Sequence, residues 1–281
     1  MNVFSSDGVE LFVHELGGCG PPVIFMHATG FHGAVWGAVA GHLRAEYRCL
    51  AIDERGHGRS GLPPNGSLDW SGFANDALAA VDSLDTQLPY GVGHSSGATA
   101  LLMAEQARPG TFGALYCFEP IIVLAETALG RDRRNWLAEV ARQRRDTFGS
   151  RQEAYERYLS KPPLSSVDPG ILRAYVKHGF EDLDDGRVRL RCRPGIEALA
   201  YEMASANDCF SRLATVECPV ALVSGTASEA WRPTAMEAVA TRLGAARTAQ
   251  LPGLGHLGPM EDPTAVARSI ATFFDDVAHA V

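Results

Sequence analysis

The pentapeptide Gly93-His94-Ser95-Ser96-Gly97 limits what this chain can fold into more than any other segment. It follows the short apolar run Leu88 to Gly93 and precedes Ala98 to Ala107, a helical pattern that stops at Pro109-Gly110. A strand that turns into a helix at one residue leaves little space for side chains, and a glycine on each side of the serine supplies that space. Such a corner lifts the Ser95 hydroxyl off a sheet edge, while the new helix aims its first unpaired N–H groups at the same point. Ser95 is thus the candidate nucleophile, and the Ser96 N–H is a candidate donor to a developing oxyanion.

The rest of the chain supplies the sheet that this corner needs. Val3 to Ser5 and Val9 to Glu15 read as a hairpin around Asp7-Gly8. Pro22 to His27, Tyr47 to Asp53, Leu88 to Gly93, Phe112 to Glu119, Pro219 to Ser224 and Arg247 to Leu251 read as strands. Asp69 to Leu84, Ala98 to Ala107, Thr234 to Leu243 and Thr264 to His279 read as helices. This alternation predicts the α/β class: a mostly parallel sheet with helices on both faces and ligand-binding loops along one edge. Between 121 and 212 the alternation lapses. The spacing there predicts helices over 126–147, 150–159, 168–179 and 194–207. Residues 1–120 and 213–281 are therefore expected to form the core domain, with 121–212 as a helical cap over the active edge.

Composition narrows the partners. The net charge of −8 argues against nucleic acid, whose binders show a basic face. The runs Arg131-Asp132-Arg133-Arg134 and Arg142-Gln143-Arg144-Arg145 read as a solvated helix face. The N-terminal residues lack a signal-peptide pattern, no apolar run is long enough to cross a bilayer, and the six cysteines show no CxxC. A cytoplasmic location is the expectation. No cofactor and no metal are expected, because His and carboxylate residues do not cluster at ligand spacing and no phosphate-binding glycine loop occurs in its required setting.

Serine is a weak nucleophile without a base. Of the nine histidines, His256 lies in Pro252-Gly253-Leu254-Gly255-His256, after the last strand and before the last helix, on the active edge. His27, His57 and His94 also fall in edge loops but read as loop packing.

With these residues in place, the chain resembles the α/β-hydrolase superfamily along nearly its whole length. Three motifs carry the resemblance: His27-Ala28-Thr29-Gly30, Asp53-Glu54-Arg55-Gly56-His57-Gly58-Arg59-Ser60 and Gly93-His94-Ser95-Ser96-Gly97, with Gly255-His256 downstream. The resemblance implies that the second motif is structural. It implies also that the backbone N–H of Thr29 joins that of Ser96 in an oxyanion hole, although Ala28 replaces a usual glycine.

The position of the acid departs from the family pattern. Related proteins usually continue the strand Pro219 to Ser224 as G-x-x-D; here Gly225-Thr226-Ala227-Ser228 puts serine at the acid position, followed by Glu229. Glu119, at the end of the strand after the nucleophile helix, is the leading alternative, an arrangement that resembles certain haloalkane dehalogenases and zearalenone-type lactonases. An acidic residue ending a buried strand is costly without a partner, which favours Glu119. The expected catalytic set is Ser95, Glu119 and His256, with Glu229 in competition for the acid. A serine at the corner disfavours chemistry that needs a carboxylate nucleophile and suits acyl transfer. The expected substrate is a small hydrophobic ester or lactone. A carbon–carbon bond hydrolase and a non-catalytic receptor are the alternatives. A homodimer is compatible with this reading.

Overall fold

The computed structural model describes residues 1–84, 88–122, 136–231 and 233–280. Strands β1 (Asn2–Phe4), β2 (Glu10–Gly17) and β3 (Pro22–Met26) lead into helix α1 (Gly37–Leu43). Then follow β4 (Arg48–Ile52), α2 (Trp70–Asp82), β5 (Tyr90–His94), α3 (Ser96–Ala107) and β6 (Ala114–Phe118). The insertion contains α4 (Trp136–Arg142), β7 (Thr147–Phe148), α5 (Arg151–Leu159), α6 (Pro169–Gly179), β8 (Phe180–Asp182), β9 (Val188–Leu190), α7 (Pro194–Met203) and α8 (Cys209–Arg212). The chain returns to the sheet with β10 (Val220–Gly225), α9 (Pro233–Leu243), β11 (Arg247–Leu251), α10 (Gly258–Glu261) and α11 (Pro263–Ala278).

The eight-stranded sheet has the order β1-β2-β4-β3-β5-β6-β10-β11. β1 and β2 pair antiparallel, β2 meets β4 antiparallel, and every later pair is parallel. The inner strands β3, β6 and β10 are buried at every residue, as a sheet covered on both faces requires. One face packs on α1 and α11 through Trp36, Val39, Ile270 and Phe274; the other packs on α2 and α3 through Phe73, Ala77, Leu101 and Leu102. In α11 the buried residues Val266, Ile270, Phe273, Phe274 and Val277 recur at helical spacing, and Asp262 caps its first turn by accepting from the Ala265 N–H at 2.9 Å.

The α/β expectation holds, with differences in detail. Helix α1 was not expected, because Gly37 and Gly41 weaken its helical signal. The insertion is not purely helical: β7, β9 and β8 form a small antiparallel sheet, and Asp184-Asp185-Gly186 is the turn of its β8–β9 hairpin. Strands of two or three residues are too short to show an alternating pattern. Of the helix expected over 126–147, the part up to 135 lies outside the described residues, and the helical part of the remainder ends at Arg142.

The basic run after Arg142 is also not a uniform solvated face. Arg142 and Arg145 pair on the surface with Glu202 and Glu153, whereas Arg144 turns inward to Glu197. Once the helix stops, neighbouring side chains no longer share its face. The Arg131 to Arg134 run lies outside the described residues. Among the described residues no helix is long and apolar enough to cross a membrane.

Candidate active site

Ser95 sits between β5 and α3 with φ 55° and ψ −117°. That left-handed backbone is sparsely populated for a residue with a side chain and costs on the order of 1–3 kcal/mol, offset by the surrounding packing. The flanking glycines are dictated by contact. A Cβ on Gly93 would lie 2.3 Å from the Ala98 Cα, and one on Gly97 would lie 2.5 Å from the His27 carbonyl oxygen. The corner can close only with hydrogen at both positions.

The loop after β11 brings His256 to this corner. Its Nε2 lies 3.2 Å from Ser95 Oγ, and its Nδ1 lies 2.6 Å from Glu119 Oε2. A carboxylate accepts, so Nδ1 carries the proton and Nε2 is left free to receive one from the serine. His94 fastens the loop by donating from Nε2 to the His256 carbonyl at 2.7 Å. Burial, with His256 beside it, holds the His94 pKa well below the ordinary histidine range, so His94 is a neutral donor. His256 remains reachable, with 31% of its side-chain surface exposed.

Glu119 follows β6 with φ 45° and is fully buried. Besides the His256 contact, its Oε1 accepts from the Gly225 N–H at 3.0 Å and its Oε2 from the Ser228 hydroxyl at 2.7 Å. Of the two competing acids, Glu119 is the one hydrogen-bonded to the imidazole; Glu229 is exposed and, among the described residues, makes no hydrogen bond to it. Ser228, at the position where the resemblance leads one to expect aspartate, donates to the Glu119 carboxylate. In the sequence Ser228 stands out only as a missing acid. Its short polar side chain at that loop position was the available signal.

Thr29 is placed beside the corner, but its N–H is engaged, donating to Ser96 Oγ at 2.8 Å, and its hydroxyl donates to the same oxygen at 3.1 Å. The Ser96 N–H belongs to the first turn of α3, whose N–H groups have no partner within the helix.

The motif beginning at Asp53 supports this loop. Asp53 accepts from His14 Nε2 at 2.8 Å, the Gly33 N–H at 2.7 Å and the Arg59 N–H at 2.8 Å. Burial opposes its ionisation, yet the hydrogen bond and charge of His14 hold the carboxyl well below its usual range. Arg55 pairs with Asp76 and Asp7, and His57 Nε2 accepts from the Gly30 N–H at 3.0 Å. His27 Nε2 accepts from the Glu54 N–H at 2.9 Å. These residues hold backbone in place, as expected for His27, His57 and the structural motif. Among the described residues no cluster of His, Cys, Asp and Glu could hold a metal ion.

Residues 23–269 match the alpha/beta hydrolase family. The chain belongs to that family. A non-heme chloroperoxidase from Burkholderia pyrrocinia is 34% identical over 111 residues, which are 38% of this chain and 40% of that relative. The chain thus matches well under half the length of that curated relative. A 2-(acetamidomethylene)succinate hydrolase from Mesorhizobium japonicum is 23% identical over 271 residues, covering 95% of this chain and 92% of the relative. The crystal structure of an E-2-(acetamidomethylene)succinate hydrolase superposes with a TM-score of 0.83 at 21% identity, covering 98% of this chain and 99% of that one. At that identity the likeness is one of fold.

Proposed function

We propose that this protein is a serine hydrolase that cleaves a small carboxylic ester or lactone through an acyl-enzyme. The observation that carries this reading is the continuous chain from Ser95 Oγ through His256 to Glu119 Oε2, with links of 3.2 and 2.6 Å. In the first half-reaction Ser95 Oγ attacks the acyl carbon and its proton passes to His256 Nε2. The Glu119 carboxylate holds the tautomer and stabilises the imidazolium. The imidazolium then protonates the leaving alkoxide. Water, deprotonated by His256, attacks the acyl carbon in the second half-reaction, and the imidazolium returns that proton to Ser95 Oγ as the acid is released. For the oxyanion we assign the Ser96 and Thr29 N–H groups, the latter exchanging its bond to Ser96 Oγ for one to the charged oxygen. A single such donor is worth about 2.7–4 kcal/mol of barrier.

In this reading residues 121–212 act as a cap over the site. The cysteines, all free among the described residues, fit a reducing cytoplasm. The test is hydrolysis of p-nitrophenyl acetate by the purified protein, with loss of that activity in Ser95→Ala. Equal activity in the variant refutes the assignment. The relative of matching length is a hydrolase named for 2-(acetamidomethylene)succinate and not for an ester, so the second reading is a hydrolase of a different bond. Cleavage of a carbon–carbon bond in a diketone would use the same three residues, and product analysis with a lactone and a diketone separates the two.

A further inference from the structure

The insertion places one charged pair directly above the loop that carries Thr29. Arg144 Nη1 donates to Glu197 Oε2 at 2.8 Å. Its Nη2 donates to the Tyr175 hydroxyl and, at 3.4 Å, to that of Tyr158. The Tyr175 hydroxyl in turn donates to the Gly30 carbonyl at 3.3 Å. Glu197 Oε1 faces the same residue so closely that a Cβ on Gly30 would come within 2.7 Å of it, and within 3.6 Å of Arg144 Nη1. Gly30 follows Thr29, which is bonded to Ser96, the neighbour of Ser95. The pair therefore lies against the loop that is tied, through Thr29 and Ser96, to the corner at Ser95.

Its hydrogen-bonding capacity is only partly used. Among the described residues, Arg144 Nε and the second Nη1 proton have no acceptor, and Glu197 Oε1 has no donor. These atoms are open to solvent and so are available to a ligand or to water. Arg144 contacts residues of α5, α6 and α7, yet 20% of its side-chain surface is accessible, so a solute can reach it. A few convergent polar groups of this kind fix a ligand's orientation in binding sites.

We propose that Arg144 and Glu197 form a specificity subsite of the active centre, taking a substrate group that offers an acceptor to the guanidinium and a donor to the carboxylate, namely a carboxamide near the scissile carbonyl. The proposal rests on the serine-hydrolase reading. It also refines the substrate: the insertion side of the Thr29–Gly30 loop is polar, so the acyl chain is not simply hydrophobic. A lone carboxylate fits less well, because Glu197 already neutralises Arg144 and would repel it.

The experiment compares three methyl esters of similar length by pH-stat titration: methyl succinamate, monomethyl succinate and methyl 4-methylpentanoate. The wild-type protein should show a kcat/KM for the amide at least tenfold above both others. Glu197→Gln, which frees the guanidinium charge, should move the preference to monomethyl succinate. Arg144→Met should bring the amide and the alkyl ester within threefold of each other. Activity on p-nitrophenyl acetate with no tenfold preference among the methyl esters overturns the subsite alone, as does a preference that both variants leave unchanged. A wild-type protein inactive on p-nitrophenyl acetate and all three methyl esters overturns the hydrolase reading with it.

Discussion

Replacing Glu119 by glutamine tests the site at its least conventional point. The side chain keeps its shape but loses its charge and half of its accepting capacity. Three donors converge on the native carboxylate: His256 Nδ1 at 2.6 Å, Ser228 Oγ at 2.7 Å and the Gly225 N–H at 3.0 Å. The backbone N–H cannot turn away, so the amide oxygen is drawn to Gly225 and the NH2 group is left facing His256 and Ser228. An NH2 group aimed at Nδ1 requires Nδ1 to accept, which moves the ring proton to Nε2 and leaves it pointing at Ser95. The imidazole is then the wrong tautomer to serve as base. It also loses a charge-assisted bond to the imidazolium worth roughly 1.5–3 kcal/mol. Together these effects should lower kcat on p-nitrophenyl acetate by about a thousand- to ten-thousand-fold, or roughly 4–5.5 kcal/mol of barrier. KM should change little, since the change is felt in the transition state. Steady-state kinetics with a matched Glu229→Gln control decides the matter. A Glu119→Gln enzyme within tenfold of wild type, or a larger loss in Glu229→Gln, refutes the assignment.

Three further outcomes follow from the same geometry. Glu119→Ala/Ser228→Asp should recover at least tenfold of the kcat lost in Glu119→Ala, because residue 228 already reaches the native acid at 2.7 Å; no recovery would show that the loop cannot present an acid to His256. Ser96→Ala removes the oxygen that occupies the Thr29 N–H, so kcat should hold or rise, and a hundredfold fall would show that the Ser96 hydroxyl is itself required. Glu54 is fully buried with both carboxyl oxygens unpaired among the described residues, and burial, reinforced by Asp76, pushes its pKa well above the ordinary 4.5. The folded chain therefore keeps a proton that the unfolded chain releases, and stability falls as pH rises above the ordinary carboxyl value. Glu54→Met should stabilise the fold, with a gain in urea-unfolding free energy that grows by about 1.4 kcal/mol per pH unit while the folded carboxyl stays protonated; a gain that is the same at pH 4.5 and pH 7 would contradict this.

The fold was legible because its signals are local. A buried strand announces itself as an apolar run, and the corner at Ser95 announces itself because two glycines are forced by contacts of 2.3 and 2.5 Å. His256 could be picked from nine histidines by its place after the last strand. What stayed hidden depends on pairs far apart in the chain. Arg144 looked like part of a solvated run because its partner Glu197 is 53 positions away and its inward turn begins only where α4 ends. The small sheet of β7, β9 and β8 was missed for a similar reason, since no single strand in it is long enough to establish a period.

The acid shows how a local departure can be read as a non-local exchange. Loss of aspartate at 228 would cripple the site if nothing replaced it, and a buried glutamate at 119 would be unaffordable if nothing solvated it. Each anomaly resolves the other once the two loops are brought together. The Ser228 hydroxyl and Gly225 N–H satisfy the carboxylate, and the carboxylate orients the histidine. The left-handed backbone at Glu119 fits the same account, because a strained residue at the end of a buried strand persists only where its surroundings fix it. In this chain, then, the hydroxyl at 228 and the acid at 119 form one hydrogen-bonded unit with His256. The Glu119→Ala/Ser228→Asp variant asks whether the exchange can be run backwards.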